Sequence, residues 1–300
     1  MLRIGICINT FRRPEGVLTL VGAVSRQKFS RIEKPSILLS VVSNEDDPVL
    51  QKLVEDNDVF FSVELERSIP KTRNRASRKA LDAGVDFLVY IDDDEEPAID
   101  WLENLIVCQS EFNADVVYGA VDPRIVEKSY VGIADASYFC YPRYPRGEGL
   151  SHAYTHNVLL RAQVFEEVGA FDERWGLNGG DDTAFFSNAV ALGFKIVACP
   201  EAVVVERIES ERTTLSYLCR RSFRHGNSEA LLEVYGPSKR GGRFRCGMFG
   251  VAMLLKRLFV FIVAALTFCN SRWVNGLLRI CFALGLVLGS LGFRYEIYRR

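Results

Sequence analysis

Five consecutive carboxylates, Asp92-Asp-Asp-Glu-Glu96, follow directly on the apolar run Phe87-Leu-Val-Tyr-Ile91. Like charges this close raise one another's pKa and repel. The run is therefore either a solvated acidic turn capping a helix at Pro97, or a site that receives a cation. A hard divalent ion accepts carboxylate oxygens. The spacing Asp92-x-Asp94 suits one Mg2+ or Mn2+ shared with a diphosphate, where it would stabilise a nucleotide leaving group. A second pair stands in Gly179-Gly-Asp-Asp-Thr183. Glycines let the backbone bend close to a ligand, and a helix N-terminus holds a carboxylate comfortably. N-capping needs only one of Asp181 and Asp182, so the other is available as a general base toward a hydroxyl.

Two basic clusters carry two readings each. Pro70-Lys-Thr-Arg-Asn-Arg75 opens a helix with three cations, either to receive phosphate or as a solvated helix start. The segment Tyr217–Gly226 carries Arg220, Arg221 and Arg224, facing a diphosphate, lipid headgroups or solvent. The histidines 152, 156 and 225 show no ligand spacing to one another, and His152 is assigned no role. Neither Gly-x-x-x-x-Gly-Lys-Ser/Thr nor Gly-x-Ser-x-Gly occurs.

The elements that must position these residues alternate. Strands are expected over Arg3–Asn9, Ser36–Val42, Val59–Glu64, Phe87–Ile91, Asp115–Gly119 and Lys195–Val205. Helices are expected over Glu15–Gln27, Val49–Asn57, Lys71–Ala83 (stopped by Gly84), Trp101–Phe112 and Thr183–Leu192. Such alternation argues for a parallel α/β sheet, and ligands gather at the carboxyl ends of its strands. The loops after the first, second and fourth strands carry Arg12, Asn44 and the aspartates, so they are expected to meet on one edge. Tyr138–Tyr144 reads as an aromatic loop over the cleft.

A composition of 48% hydrophobic and 25% charged residues excludes a disordered chain. The net charge of -1 hides an asymmetry: residues 207–300 carry 16 Lys/Arg against 5 Asp/Glu, and residues 1–206 carry 21 against 33. A basic tail implies an anionic partner, nucleic acid or a membrane surface. The apolar runs Leu258–Cys269 and Ile280–Phe293 choose the membrane and no nucleic acid. Each is short for a span, so an interfacial helical pair is expected first and a spanning hairpin second. The flanks Lys239, Arg240, Arg243, Arg245, Arg299 and Arg300 favour either over a soluble cap. The eight cysteines form no Cys-x-x-Cys pair and are expected to be reduced and buried in a cytosolic setting. The short apolar N-terminus reads as a first strand, not a signal peptide. The expected domains are residues 1–235 and a tail of residues 236–300.

In order along the chain, Thr10-Phe-Arg-Arg-Pro14, Thr72-Arg-Asn74, Ile91-Asp-Asp-Asp-Glu-Glu-Pro97, Asn157-Val-Leu-Leu-Arg161, Val168-Gly-Ala-Phe-Asp172 and Gly179-Gly-Asp-Asp182 resemble the motifs of the inverting family 2 glycosyltransferases, nearest the bacterial enzymes of exopolysaccharide assembly such as succinoglycan. The resemblance covers roughly residues 1–230 and implies the GT-A fold, a Rossmann-like mixed sheet. It implies transfer of a sugar from a nucleotide-diphospho-sugar, with a UDP-sugar as the default, to a hydroxyl of a lipid-linked or other saccharide acceptor. It further implies that Thr10, Arg12, Asn44, Arg73, Asp92 and Asp93 bind the nucleotide sugar, that Asp94 and Glu206 hold Mn2+ or Mg2+, and that Asp182 is the base with Asp181 orienting the acceptor. Three departures stand out. Ser43 replaces the family's base-recognising Asp, leaving Asn44 or Glu45 in that part. Glu206 replaces a His. The Gln-x-x-Arg-Trp of processive synthases is absent. The expected location is the cytoplasmic face of a bacterial inner membrane. The rival readings are a nucleotidyltransferase, against which the glycine-free loop Asn9–Arg13 stands, and a non-catalytic membrane-anchored scaffold.

Overall fold

The computed structural model describes residues 1–56, 59–126, 139–176, 178–235, 242–266 and 270–296. The chain forms two compact units that interleave in sequence: residues 1–124, 141–176 and 181–207 in the first, and 125–140, 177–180 and 208–300 in the second. The boundary expected at residue 236 follows composition, whereas these units follow contacts.

The first unit is built on a mixed sheet. β1 (Arg3–Thr10), β2 (Ser36–Ser43), β3 (Val59–Val63) and β4 (Phe87–Ile91) are parallel and lie in the order β3-β2-β1-β4. The alternation of helices and strands predicts that all strands run this way. Instead β8 (Asn157–Arg161) enters antiparallel beside β4, and β6 (Val116–Ile125) pairs antiparallel with β8. β9 (Ile196–Ile208) and β5 (Glu95–Pro97) complete the sheet, and the short β7 (Gly149–Leu150) pairs with β9. This mixed sheet is the one the family resemblance implies. The acidic run is not a solvated turn leading into a helix: Glu95–Pro97 is a strand, with Glu95 opposite Glu206.

Strand pleating sends alternate residues to opposite faces, and the sheet has a core on each. Ile4, Ile6 and Ile8 of β1 pack with Val17 and Leu20 of α1 (Pro14–Ser25) and with Trp101 and Leu102 of α4 (Trp101–Phe112). Cys7, Leu88 and Tyr90 face the other way, toward Ala76 and Ala80 of α3 (Ile69–Asp82), Phe165 of α5 (Ala162–Val168) and Phe186 of α6 (Asp181–Ala191). α3 lies very close to β1, because a Cβ at Gly5 would stand 2.5 Å from that of Ala80. α3 ends where Gly84 takes φ +72. On α4, buried Glu103 accepts the backbone N–H groups of Ser30, Arg31 and Ile32 and the Arg31 guanidinium. That clasp fixes the approach to β2.

The second unit contains α7 (Leu215–Tyr235), α8 (Gly242–Leu266) and α9 (Asn270–Ser290). α7 and α9 touch backbone to backbone through glycines. A Cβ at Gly226 would stand 2.0 Å from the Phe282 carbonyl oxygen, and one at Gly285 2.0 Å from that of Phe223. Ser222 donates to the Leu278 carbonyl at 2.6 Å. Among the described residues no helix is long and apolar enough to cross a membrane. Lys239, Arg240, Cys269, Arg299 and Arg300 lie outside them. α8 carries Phe244, Met248, Val251, Leu255 and Leu258 exposed at helical spacing. The described cysteines are free; Cys7, Cys108 and Cys199 are buried as expected, whereas Cys219, Cys246 and Cys281 are half-buried and Cys140 is exposed.

Candidate active site

The sheet order places β1 where the chain reverses direction across the sheet, with β2 on one side and β4 on the other. A crevice opens outside the carboxyl ends of strands at such a point. Thr10 ends β1, and its hydroxyl donates to Asp93 Oδ2 at 2.7 Å. Arg13, just beyond, donates to Asp93 Oδ1 at 3.0 Å and to Asp94 Oδ2 at 2.9 Å. The first turn of α1 closes on the same residue: a Cβ at Gly16 would stand 2.3 Å from the Asp93 carbonyl oxygen. Only a glycine permits that approach. Asn9 Oδ1, one residue before Thr10, is buried with no hydrogen-bond partner among the described residues.

The five carboxylates are not equivalent. Asp93 and Glu95 are buried, and Asp92 and Asp94 are half-buried. The Asp92 N–H donates to Glu95 Oε2 at 2.8 Å, which closes the turn into β5. Burial pushes the Asp92 carboxyl up to about 7; Arg73 opposes this, and Asp94, Asp93 and Glu206 add to it. Burial likewise holds Asp93 and Glu95 above the usual carboxylate range. Glu206 is buried on β9 and accepts the Tyr141 hydroxyl at 3.0 Å.

The second carboxylate pair joins the site through α3. Arg73 is buried and donates to Asp181 Oδ2 at 2.6 Å. Burial works against the guanidinium charge, but Asp181, Asp182 and Asp92 outweigh it and raise the Arg73 pKa. Burial raises the Asp181 carboxyl, and Arg73 opposes that rise. Asp182 is half-buried. Its Oδ1 accepts the Thr183 N–H at 2.7 Å and hydroxyl at 3.3 Å. Among the described residues nothing donates to its Oδ2. Gly179 and Gly180, with φ +76 and +101, set the entry to α6. Asn74 pins the next loop, exchanging two hydrogen bonds with Phe171: its Nδ2 to the carbonyl at 2.9 Å and the N–H to its Oδ1 at 2.8 Å.

Thus Thr10, Arg73, Asp92, Asp93, Asp94, Asp181 and Glu206 are linked by hydrogen bonds, ion pairs or charge interactions across one end of the sheet. Arg12 and Asn44 stand apart from that network. Arg12, at φ +57, grips half-buried Glu45 through Nε and Nη2. Asn44 gives its amide to the Glu64 and Glu66 carbonyls at 2.8 and 2.9 Å. Lys71 and Arg75 also face carboxylates, Glu66 and Glu64. Sequence reasoning missed Arg13. Its signal was a second arginine in the same loop, which spacing alone does not separate from the first.

Hard carboxylate oxygens suit Mg2+ or Mn2+, and Asp94 and Glu206 supply them. Among the described residues, however, no group of three or more His, Cys, Asp or Glu is arranged to hold an ion. Two carboxylates alone would leave most of an ion's shell to phosphate and water, which is the usual habit of Mg2+.

No protein-family model matches the chain. The chain is 30% identical to the succinoglycan biosynthesis protein ExoM of Rhizobium meliloti, over 97% of this chain and 93% of that one. It is 25% identical to a glucosyl-dolichyl phosphate glucuronosyltransferase of Haloferax volcanii, over 77% of each. Among solved structures, S. aureus TarS 1-349 in complex with UDP-GlcNAc superposes with a TM-score of 0.53 at 14% identity, covering 92% of this chain and 90% of that one. GalNAc-T7 with UDP, GalNAc and Mn2+ superposes with a TM-score of 0.53 at 13% identity, covering 77% and 51%. These last two likenesses are of fold.

Proposed function

Because the chain belongs to the GT-A-type glycosyltransferases, the family of its succinoglycan biosynthesis relative, we propose that it transfers one sugar from a UDP-sugar to a hydroxyl of a lipid-linked oligosaccharide, with inversion, in exopolysaccharide or cell-surface glycan synthesis. The observation that carries this reading is the division between Asp181 and Asp182. Asp181 is locked on Arg73 at 2.6 Å, while Asp182 keeps Oδ2 for an incoming proton.

Thr10 and Arg13 hold Asp93 and Asp94 at the mouth of β1, where the donor diphosphate is placed. Asp94, together with Glu206, would hold Mn2+ or Mg2+. A bound ion would neutralise charge on the leaving diphosphate. Asp182 Oδ2 takes the proton of the acceptor hydroxyl. The oxygen forms its bond to the anomeric carbon as the bond to the diphosphate breaks, and the electron pair leaves on the phosphate oxygen. Attack opposite the leaving group inverts the centre, so one carboxylate suffices and no covalent intermediate is needed.

The second unit supports a membrane-facing reading through the exposed apolar stripe Phe244–Leu258 of α8, beside Arg243, Arg245, Lys256 and Arg257. Such a face lies in an interface, at the cytoplasmic leaflet of a bacterial membrane. The catalytic part is residues 1–235 and the tail residues 236–300. The intact chain is expected in the membrane pellet; full solubility in low salt without detergent would overturn the tail assignment.

Thermal shift with UDP, GDP, dTDP and CMP, each with and without Mn2+, tests the donor reading. UDP is expected to stabilise the protein only with metal, and Asp94→Ala is expected to abolish the effect. Stabilisation by none of them would sink it.

A further inference from the structure

Six aromatic and imidazole side chains of the first unit form a cluster that the transfer chemistry does not use. His152, Tyr154 and His156 alternate with buried Ala153, Thr155 and Asn157, and the segment turns at Thr155–His156 just before β8, with all three rings on one side of it. The rings follow one another at 5.7 Å (His152–Tyr154) and 5.6 Å (Tyr154–His156), the latter pair within 22° of parallel. Tyr118 of β6, itself buried, lies beneath all three at 6.4, 6.0 and 5.6 Å and shares a 2.7 Å hydrogen bond with His156 Nε2. Tyr144 flanks His152, and Tyr141 flanks His156 at 4.9 Å.

Three features separate this cluster from ordinary core packing. Its rings, apart from Tyr118, are half-exposed. Its polar atoms are phenol hydroxyls and imidazole nitrogens, groups that both donate and accept hydrogen bonds. It ends at the acidic corner, because Tyr141 hydrogen-bonds Glu206. Strand order sharpens the point: the nucleotide-side loops leave β1, β2 and β4, while the cluster stands on the opposite flank of β4, beside β8 and β6. A pyranose ring presents polarised C–H bonds on its faces and hydroxyls on its rim. The negative face of an aromatic ring attracts the former, and phenol and imidazole groups bind the latter.

We propose that His152, Tyr154 and His156, backed by Tyr118 and flanked by Tyr141 and Tyr144, form a saccharide-binding platform that seats a sugar ring of the acceptor beside the carboxylates. This placement rests on the glycosyl-transfer reading above; the platform itself is tested without it. The chain has three histidines, so imidazole resonances of the full chain, histidine-labelled and held in a sugar-free zwitterionic detergent, form an internal control. Cellobiose, maltose and gentiobiose are titrated separately, and UDP with Mn2+ in a parallel sample.

His152 and His156 are expected to shift with at least one disaccharide while His225, on α7, does not. Tyr154→Ala is expected to weaken that binding by about tenfold, Tyr154→Phe to keep it within about twofold, and neither to change stabilisation by UDP. The proposal is overturned if no disaccharide moves His152 and His156, or if UDP moves them as much, which would make the platform part of the nucleotide site. If Tyr154→Ala does not fold, the wild-type titration and Tyr154→Phe still decide. Failure of UDP to bind, with the disaccharide shifts intact, would remove the donor reading and leave the platform standing.

Discussion

Two groups of carboxylates in the first unit, one on α4 and one at the end of β4, are treated in opposite ways. On α4, Glu103 is 2% exposed yet fully answered: three backbone N–H groups and the Arg31 guanidinium converge on it, and Asn104 holds Arg31 at 2.6 Å. Burial pushes its pKa up, but the N–H groups of Arg31 and Ser30, with the guanidinium, outweigh that and hold it at about 2. At the end of β4, buried Asp93 and Glu95 and half-buried Asp92 crowd one another, and loss of solvent wins over Arg73, Arg13 and Thr10, so all three titrate high. A satisfied acid is a fastener. A crowded, under-answered acid holds free energy that a ligand cation can release. The same kind of group is held low in one place and high in the other, and the difference lies in the count of donors around it.

The sharpest way to break this comparison is at the chemical end. Asp182→Asn keeps the shape of α6 and the Thr183 contacts but cannot take a proton. Transfer from a UDP-sugar is expected to fall by about 10²- to 10⁴-fold with folding unchanged; a normal rate would remove Asp182 from the mechanism. Next in size is Arg73→Met, which leaves Asp181 buried without its cation. Unfolding by denaturant should show a loss of about 3–5 kcal/mol. A second change, Asp181→Asn in the same protein, is expected to restore much of that stability without restoring transfer. The smallest effect belongs to the fastener. Glu103→Gln is expected to cost about 1–3 kcal/mol at neutral pH through its charge-assisted hydrogen bonds, with catalysis per folded molecule unchanged.

The clasp also predicts a pH dependence. The folded pKa of Glu103 lies at about 2, below its ordinary value of about 4.3. Its contribution is therefore fully present above that ordinary value and is lost as pH falls toward 2. The melting temperature of Glu103→Gln, followed from neutral to acid pH, is expected to converge on that of the parent across that window. A constant gap would show that Glu103 acts by shape and not by charge.

Much of this architecture was legible in the residues. Trp101–Phe112 and Phe87–Ile91 are helix and strand as their patterns predict, because an amphipathic repeat and a β-branched or aromatic run specify them locally. β5 was not legible. Glu95-Glu-Pro97 has poor strand propensity, and it is a strand only because Val204–Glu206 of β9 offers it a partner. The direction of β8 was equally hidden. Asn157-Val-Leu-Leu-Arg161 reads the same parallel or antiparallel, and only its pairing with β4 and β6 shows that it runs against both.

By itself, then, the sequence marked the candidate site residues and the order in which they come. Charge, glycine and apolar spacing are local properties, and they marked Asp92–Asp94, Asp181 and Asp182. Only the tertiary structure decided which of two adjacent carboxylates is answered. Arg73 reaches Asp181 from 108 positions away and leaves Asp182 its second oxygen. It also decided that His152 and His156, which show no ligand spacing along the chain, stand on one face over Tyr118. Both outcomes depend on burial and on partners distant in sequence, and neither quantity is written in the local pattern of a chain.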